Sequence, residues 1–154
     1  MSVNNKWWLV TVIAIIGLSC QSKSQEKWTK DMELSTYEGG GMVPESKKVI
    51  INDSICTYIH WQMPKTDTLY FSLSKQQLDE LAKEINTIHF RDIMSGETGS
   101  IAYDKPTTSI NFKWNGKSHE VSVGATEGIK KGDATGFFKL YRDILSLAEK
   151  KTAQ

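Results

Sequence analysis

Ser109-Ile110-Asn111-Phe112-Lys113-Trp114-Asn115-Gly116-Lys117-Ser118-His119-Glu120-Val121-Ser122-Val123 is the stretch whose reading decides the fold. Asn-Gly between alternating apolar residues is a strong hairpin signal, because a type I′ turn needs positive φ at both central positions. A two-residue turn at Asn115-Gly116 pairs Trp114 with Lys117, Phe112 with His119 and Ile110 with Val121. Ile110, Phe112, Val121 and Val123 then share an apolar face, while Asn111, Lys113, Glu120 and Ser122 point away. His119 falls on the core side, next to Phe112.

The element that covers this apolar face is legible upstream. Ser74 can cap a helix and Gln77, three residues on, completes a capping box. Leu78, Leu81, Ala82, Ile85 and Ile88 follow on one helical stripe, with Asp79, Glu80, Lys83 and Glu84 on the other side. A second helix is expected from about Ala134 to Lys150, with Phe137, Tyr141, Ile144, Leu145 and Ala148 as its stripe. Asp133 at its start and Lys150 and Lys151 at its end suit the helix dipole.

Further strands are expected at Met32–Tyr37, with Met32, Leu34 and Thr36 on one face, at Val49–Ile51, at Ile55–Met63 and at Thr68–Leu73. Gly39-Gly40-Gly41 ends the first. A two-residue turn at Asn52-Asp53 would set Ile50 opposite Ile55, but apolar residues on both faces leave that register open. The fold class is therefore α+β, an antiparallel sheet of five or six strands with two helices packed on one face, in a single domain over residues 32–150. Arg91–Pro106 reads as a long loop. Gly124, Gly128, Gly132 and Gly136 recur every four residues among Glu127, Lys130, Lys131 and Asp133, which reads as a surface loop and not as a membrane-helix interface.

The chain opens with Lys6, the apolar run Trp7–Ile16 and then Gly17-Leu18-Ser19-Cys20. A basic residue, a short apolar run and small residues form the layout of a secretory signal peptide, and the run falls short of the roughly 20 apolar residues that span a bilayer. Gly17-Leu18-Ser19-Cys20 resembles the lipobox of bacterial lipoproteins. That resemblance implies a signal peptide over residues 1–19, palmitate and related acyl chains on Cys20, and export to a bacterial membrane, facing the periplasm or the cell surface. Residues 20–31 then form a lipidated N-terminus and polar tether; Trp28 within it either docks on the domain or rests at the lipid headgroups.

Without the leader, which holds Lys6 and no acid, the remainder carries 18 basic and 18 acidic residues. A balanced chain with no basic block gives no footprint for nucleic acid. The two cysteines build no disulfide framework, and Cys56 in the strand-like run Ile55–Ile59 reads as a small buried hydrophobe. His60, His89 and His119 match no metal-ligand spacing, and no cofactor is implied. Cys56 and His60 share a strand face, yet four residues of rise put them about 13 Å apart, too far for a nucleophile and its base. No serine occupies a nucleophile elbow, and Gly39-Gly40-Gly41 lacks the lysine and hydroxyl residue of a phosphate loop. Asp92, Glu97 and Asp104 match no calcium loop and read as solvated charges.

What remains is a surface. Trp114, Lys117, Tyr103 and Glu97 are the candidate interaction residues, with Lys117 expected over the Trp114 ring. Trp61 is expected in the core. The order of pieces, with Leu73-Ser74 opening a helix that carries Leu78 and Leu81, then Phe90, then Asp104–Ile110 entering a hairpin and a last helix, resembles a group of small bacterial α+β domains. That group includes emfourin, a protein inhibitor of a thermolysin-like metalloprotease. The likeness runs over roughly residues 32–148, departs in the lipid anchor and the long Arg91–Pro106 segment, and transfers no inhibitory residue. The expected function is a membrane-anchored envelope lipoprotein, not an enzyme, whose domain binds a protein or another envelope component. The alternatives are a metalloprotease inhibitor and an envelope hydrolase, the last requiring a pocket that joins Asp92, Glu97 and Asp104 to a histidine.

Overall fold

The computed structural model describes residues 27–97 and 104–153. The chain is α+β. Strands β1 (Glu33–Gly39), β2 (Glu45–Ile51), β3 (Cys56–Gln62) and β4 (Lys65–Phe71) form a meander. Helix α1 (Lys75–Thr87) and a 3₁₀ turn (Phe90–Asp92) lead through the short strand β5 (Gly96–Glu97) to the hairpin β6 (Thr107–Trp114) and β7 (Lys117–Val123). Strand β8 (Glu127–Gly128) and helix α2 (Lys131–Thr152) complete the chain. The main sheet has six antiparallel strands in the order β4-β3-β2-β1-β6-β7, and β5 pairs β8 in a separate two-stranded ladder.

The hairpin register is the one the Asn-Gly turn dictates: Trp114 faces Lys117, Phe112 faces His119 and Ile110 faces Val121. Asn115 and Gly116 both hold positive φ. Strand β1 inserts beside β6, and Leu34 and Thr36 lie on the same face as Phe112 and Ile110. On that face Leu34, Val49, Ile51, Cys56, Ile110, Phe112 and Val121 are buried beneath the stripes Leu78, Leu81, Ala82, Ile85 of α1 and Phe137, Leu140, Tyr141, Ile144, Ala148 of α2. Full burial of each large apolar side chain contributes about 1.5–3 kcal/mol. The capping box at α1 forms as expected, Ser74 with Gln77 in both directions. The Tyr141 hydroxyl donates to Glu38 and ties α2 to β1; burial and that carboxylate push the phenol pKa well above its ordinary range.

Several local expectations change. The turn between β2 and β3 is four residues long, and Ile50 pairs with Thr57 instead of Ile55. The Asn52 side chain explains the extra length: its Oδ1 accepts from the Ser54 and Ile55 amides at 3.0 Å, a side-chain turn that holds the loop open and leaves Ile55 exposed. Strand β4 begins at Lys65, three residues earlier than expected, because it pairs with the whole of β3 as an edge strand that buries only Phe71. Helix α2 starts at Lys131, so Gly132 and Gly136 are helical and not part of a loop. A Cβ on Gly136 would stand 3.2 Å from the Ile88 side chain, so the missing side chain lets α2 approach the end of α1. Arg91–Glu97 is not plain loop either: Ile93 is in the core, and Gly96–Glu97 is paired.

Trp28 lies inside the domain. It is buried, with its ring 6.4 Å from Phe112. Its amide donates to Asp79 Oδ1 at 2.9 Å, and the Lys75 ammonium donates to its carbonyl. Asp31 Oδ1 accepts from the Thr29 hydroxyl at 2.6 Å and Oδ2 from the Asn115 amide at 2.5 Å, which fastens the segment to the hairpin turn. Trp28 is therefore packed against the domain, four residues before the expected strand start at Met32.

Candidate functional site

Of the residues expected to form an interaction surface, Glu97 lies apart from Trp114 and Lys117. Cys20 and Tyr103 lie outside the described residues. Trp114 and Lys117 face each other at the hairpin turn. Glu97 pairs with Glu127 in the short ladder beyond the other end of β7, about 20 Å away by strand rise. The cation over the Trp114 ring is Arg91, its guanidinium carbon 4.7 Å from that centroid and 5.6 Å from the Phe112 centroid, with the two rings stacked 5.2 Å apart. Lys117 is exposed beside this stack. Arg91 comes from the 3₁₀ turn, distant in sequence, so adjacency along the hairpin favoured the wrong cation.

His119 does lie on the core side. Its ring stands edge-on to Phe90 at 5.6 Å, and Nε2 donates to the Ile93 carbonyl at 2.8 Å, so it holds the segment after the 3₁₀ turn against β7. Cys56 is buried, and desolvation raises its thiol pKa above the ordinary value. His60 stacks on Tyr58 and reaches Glu45 at 3.3 Å. Asp92 borders a shallow depression of about 190 Å³ with His89 and Asn86, which neither Glu97 nor Asp104 lines. Among the described residues no group of three or more His, Cys, Asp or Glu side chains is arranged to hold a metal ion.

The feature that sequence reasoning missed is the second face of the main sheet. Both helices pack on one side, so the residues that alternate with the core strands point outward together. Register places Tyr37 beside Lys48 and Ser109, and Ser35 beside Ile50 and Asn111. Trp61, expected in the core, stands on this outer face opposite Ser46 and Thr66 and is half-buried; Cys56 and Tyr58 take the inward positions of the same strand. Tyr70 of the edge strand is 70% exposed there, next to Thr57.

At the centre of the outer face is a depression of about 370 Å³, lined by Glu33, Ser35, Thr36, Tyr37, Lys48, Ile50, Ser109, Asn111, Lys113 and Glu120. Its polar groups are partly committed. Lys113 pairs with Glu33 at 2.8 Å, the Ser118 hydroxyl donates to Asn111 Oδ1 at 3.1 Å, and the Asn111 amide donates to Glu120 at 3.4 Å. Lys48 has no ion-pair partner among the described residues. A Cβ on Gly39 would lie 2.6 Å from the Tyr37 hydroxyl and 2.2 Å from Ser46 Oγ. Tyr37 therefore lies along the strand across Gly39, and the ring rests on the sheet surface.

The signal for this face was present in the alternation: Tyr37, Ile50, Ile59, Trp61 and Tyr70 are large residues at positions out of phase with the core. No protein-family model and no curated protein matches the chain. Geometry and chemistry alone therefore carry the functional reading.

Proposed function

We propose that this protein is a bacterial envelope lipoprotein, acylated at Cys20, whose domain is a non-catalytic binding module working through the outer face of its sheet. The observation that carries the reading is that face. Among the described residues the helices cover one side of the sheet, and the other side, with three aromatic residues and a polar depression, offers a recognition surface larger than any cluster of titratable groups there. The leader supplies the location. Between Cys20 and the docked Trp28 there is room for a chain of at most about 28 Å, so an anchored domain stays close to the bilayer. Several acyl chains hold a protein at a membrane where one does not, at about 0.8 kcal/mol per buried CH₂.

Cell fractionation with labelled palmitate tests the anchor. Wild-type protein should take up label and sediment with membranes; Cys20→Ala should stay folded, lose the label and appear in the soluble fraction. Label still entering Cys20→Ala would overturn the lipoprotein reading. Capture from an envelope extract tests the module: the wild-type domain should retain material that a variant bearing Tyr37→Ala and Trp61→Ala releases, and equal capture by both would remove the outer face from the function.

A further inference from the structure

We infer that the depression on the outer sheet face binds an acidic glycan strand, with Lys48 receiving a carboxylate of the sugar and Tyr37 stacking against its ring. This rests on the binding-module reading and names its ligand class. The lining decides among chemistries. A protein-docking surface needs a desolvated apolar centre, and here Ile50 is the one aliphatic side chain of the lining. The rest are hydroxyls, an amide and charged groups, spaced at the strand separation of about 4.8 Å across β2, β1 and β6. In the central row Lys48, Tyr37 and Ser109 stand side by side, and Ile50, Ser35 and Asn111 form the row next to it. A strand of hydroxylated rings matches such a row: its hydroxyls meet Ser35, Ser109 and Asn111, and the C–H groups of a pyranose complement the negative face of an aromatic ring.

Charge narrows the class. Glu33 and Lys113 neutralise each other, and Glu120, hydrogen-bonded by Asn111, keeps its charge on the outermost strand, three strand spacings (about 14 Å) from Lys48. Lys48 sits mid-sheet, paired in register with Tyr37 and without an ion-pair partner among the described residues. An anionic group there gains a charge-assisted hydrogen bond; a neutral glycan leaves the ammonium to water. The likeness of Tyr37 to a platform is structural as well, since Gly39 is what permits its flat placement.

The test uses the full chain in detergent micelles, titrated with oligogalacturonate and with a neutral galacto-oligosaccharide of equal length, read by amide chemical shifts and calorimetry. The expected result is saturable binding of oligogalacturonate with shifts centred on Tyr37, Lys48, Ser109 and Asn111, and weaker binding of the neutral sugar. Lys48→Gln should weaken the acidic ligand by about tenfold or more and bring it to the neutral level, the loss of a hydrogen bond between charged groups. Tyr37→Ala should weaken both ligands. Equal affinity for the two sugars, an unchanged affinity in Lys48→Gln, shifts on another surface, or no binding would each overturn the proposal. Envelope capture that still depends on Tyr37 and Trp61 while both sugars fail would leave the binding module standing and remove only the glycan.

Discussion

Trp28 shows how a single residue moves a domain boundary. It follows a polar stretch with no apolar period, and a local reading assigns it to the tether. In the structure it is 3% exposed, and its Nε1 finds no acceptor among the described residues. Trp28→Ala should destabilise the domain by about 3–5 kcal/mol, the cost of a large aromatic cavity. Trp28→Phe retains contact with Phe112 and removes the buried indole donor, so it should cost less than half as much. Urea unfolding of the two variants measures both values, and equal losses would show that the orphan donor carries no penalty. Trp61 is the opposite case, a tryptophan whose size favours burial but whose strand phase sets it outward.

At the scale of elements, the entry segment is held by two carboxylates. Asp79 has its pKa lowered by the Lys75 side chain and the Trp28 amide, and Asp31 by the Thr29 hydroxyl and the Asn115 amide. For groups lowered in the folded state the stabilisation is complete above the ordinary value of 3.8 and is lost as pH falls through the still lower folded values. The docking of Trp28–Asp31 should therefore be unchanged from pH 7 to pH 5 and loosen below about pH 4. Hydrogen-exchange protection at the Trp28 and Asn115 amides, taken relative to the intrinsic rate at each pH, reads this directly, and Asp31→Asn with Asp79→Asn should lower protection at both amides and remove its acid dependence. Protection that persists in the double variant would assign the docking to Trp28 burial alone.

The elements themselves were legible where local chemistry and tertiary packing agree. The Asn115-Gly116 hairpin and the Ser74 capping box stand in the structure as their residues dictate, since turn type and cap act within a few residues. What was not legible depends on partners remote in the chain. Gly136 looks like a breaker until Ile88 is placed against it, because helix propensity costs only about 1 kcal/mol and packing overrides it. Arg91 reaches the Trp114 ring from a segment that has no period of its own. The candidate site was the least legible part: the outer face joins all six strands of the main sheet, and only sheet order, which strand patterns do not encode, brings Tyr37, Lys48 and Ser109 together.

For the whole molecule, the sheet has two ends with different roles. Trp28 enters at the end that holds the start of β1, the Asn52–Ile55 loop and the Asn115-Gly116 turn. The other end carries the Gly40–Pro44 loop and the Met63-Pro64 turn, with Met42 85% and Met63 92% exposed. Seven-residue strands separate the two ends by roughly 20 Å or slightly more. Under the proposed acylation of Cys20, a reach of at most about 28 Å makes the entry end face the bilayer more often than the far end and leaves the outer sheet face sideways and accessible. Energy transfer from a dye at Lys117→Cys or at Met63→Cys to acceptor lipids in vesicles tests this, since Cys56 is buried and the proposed acylation of Cys20 removes its free thiol. Transfer from position 117 should be distinctly stronger. Equal transfer from both positions would mean that the anchored domain tumbles freely, and stronger transfer from position 63 would place the methionine end on the membrane and reverse the orientation.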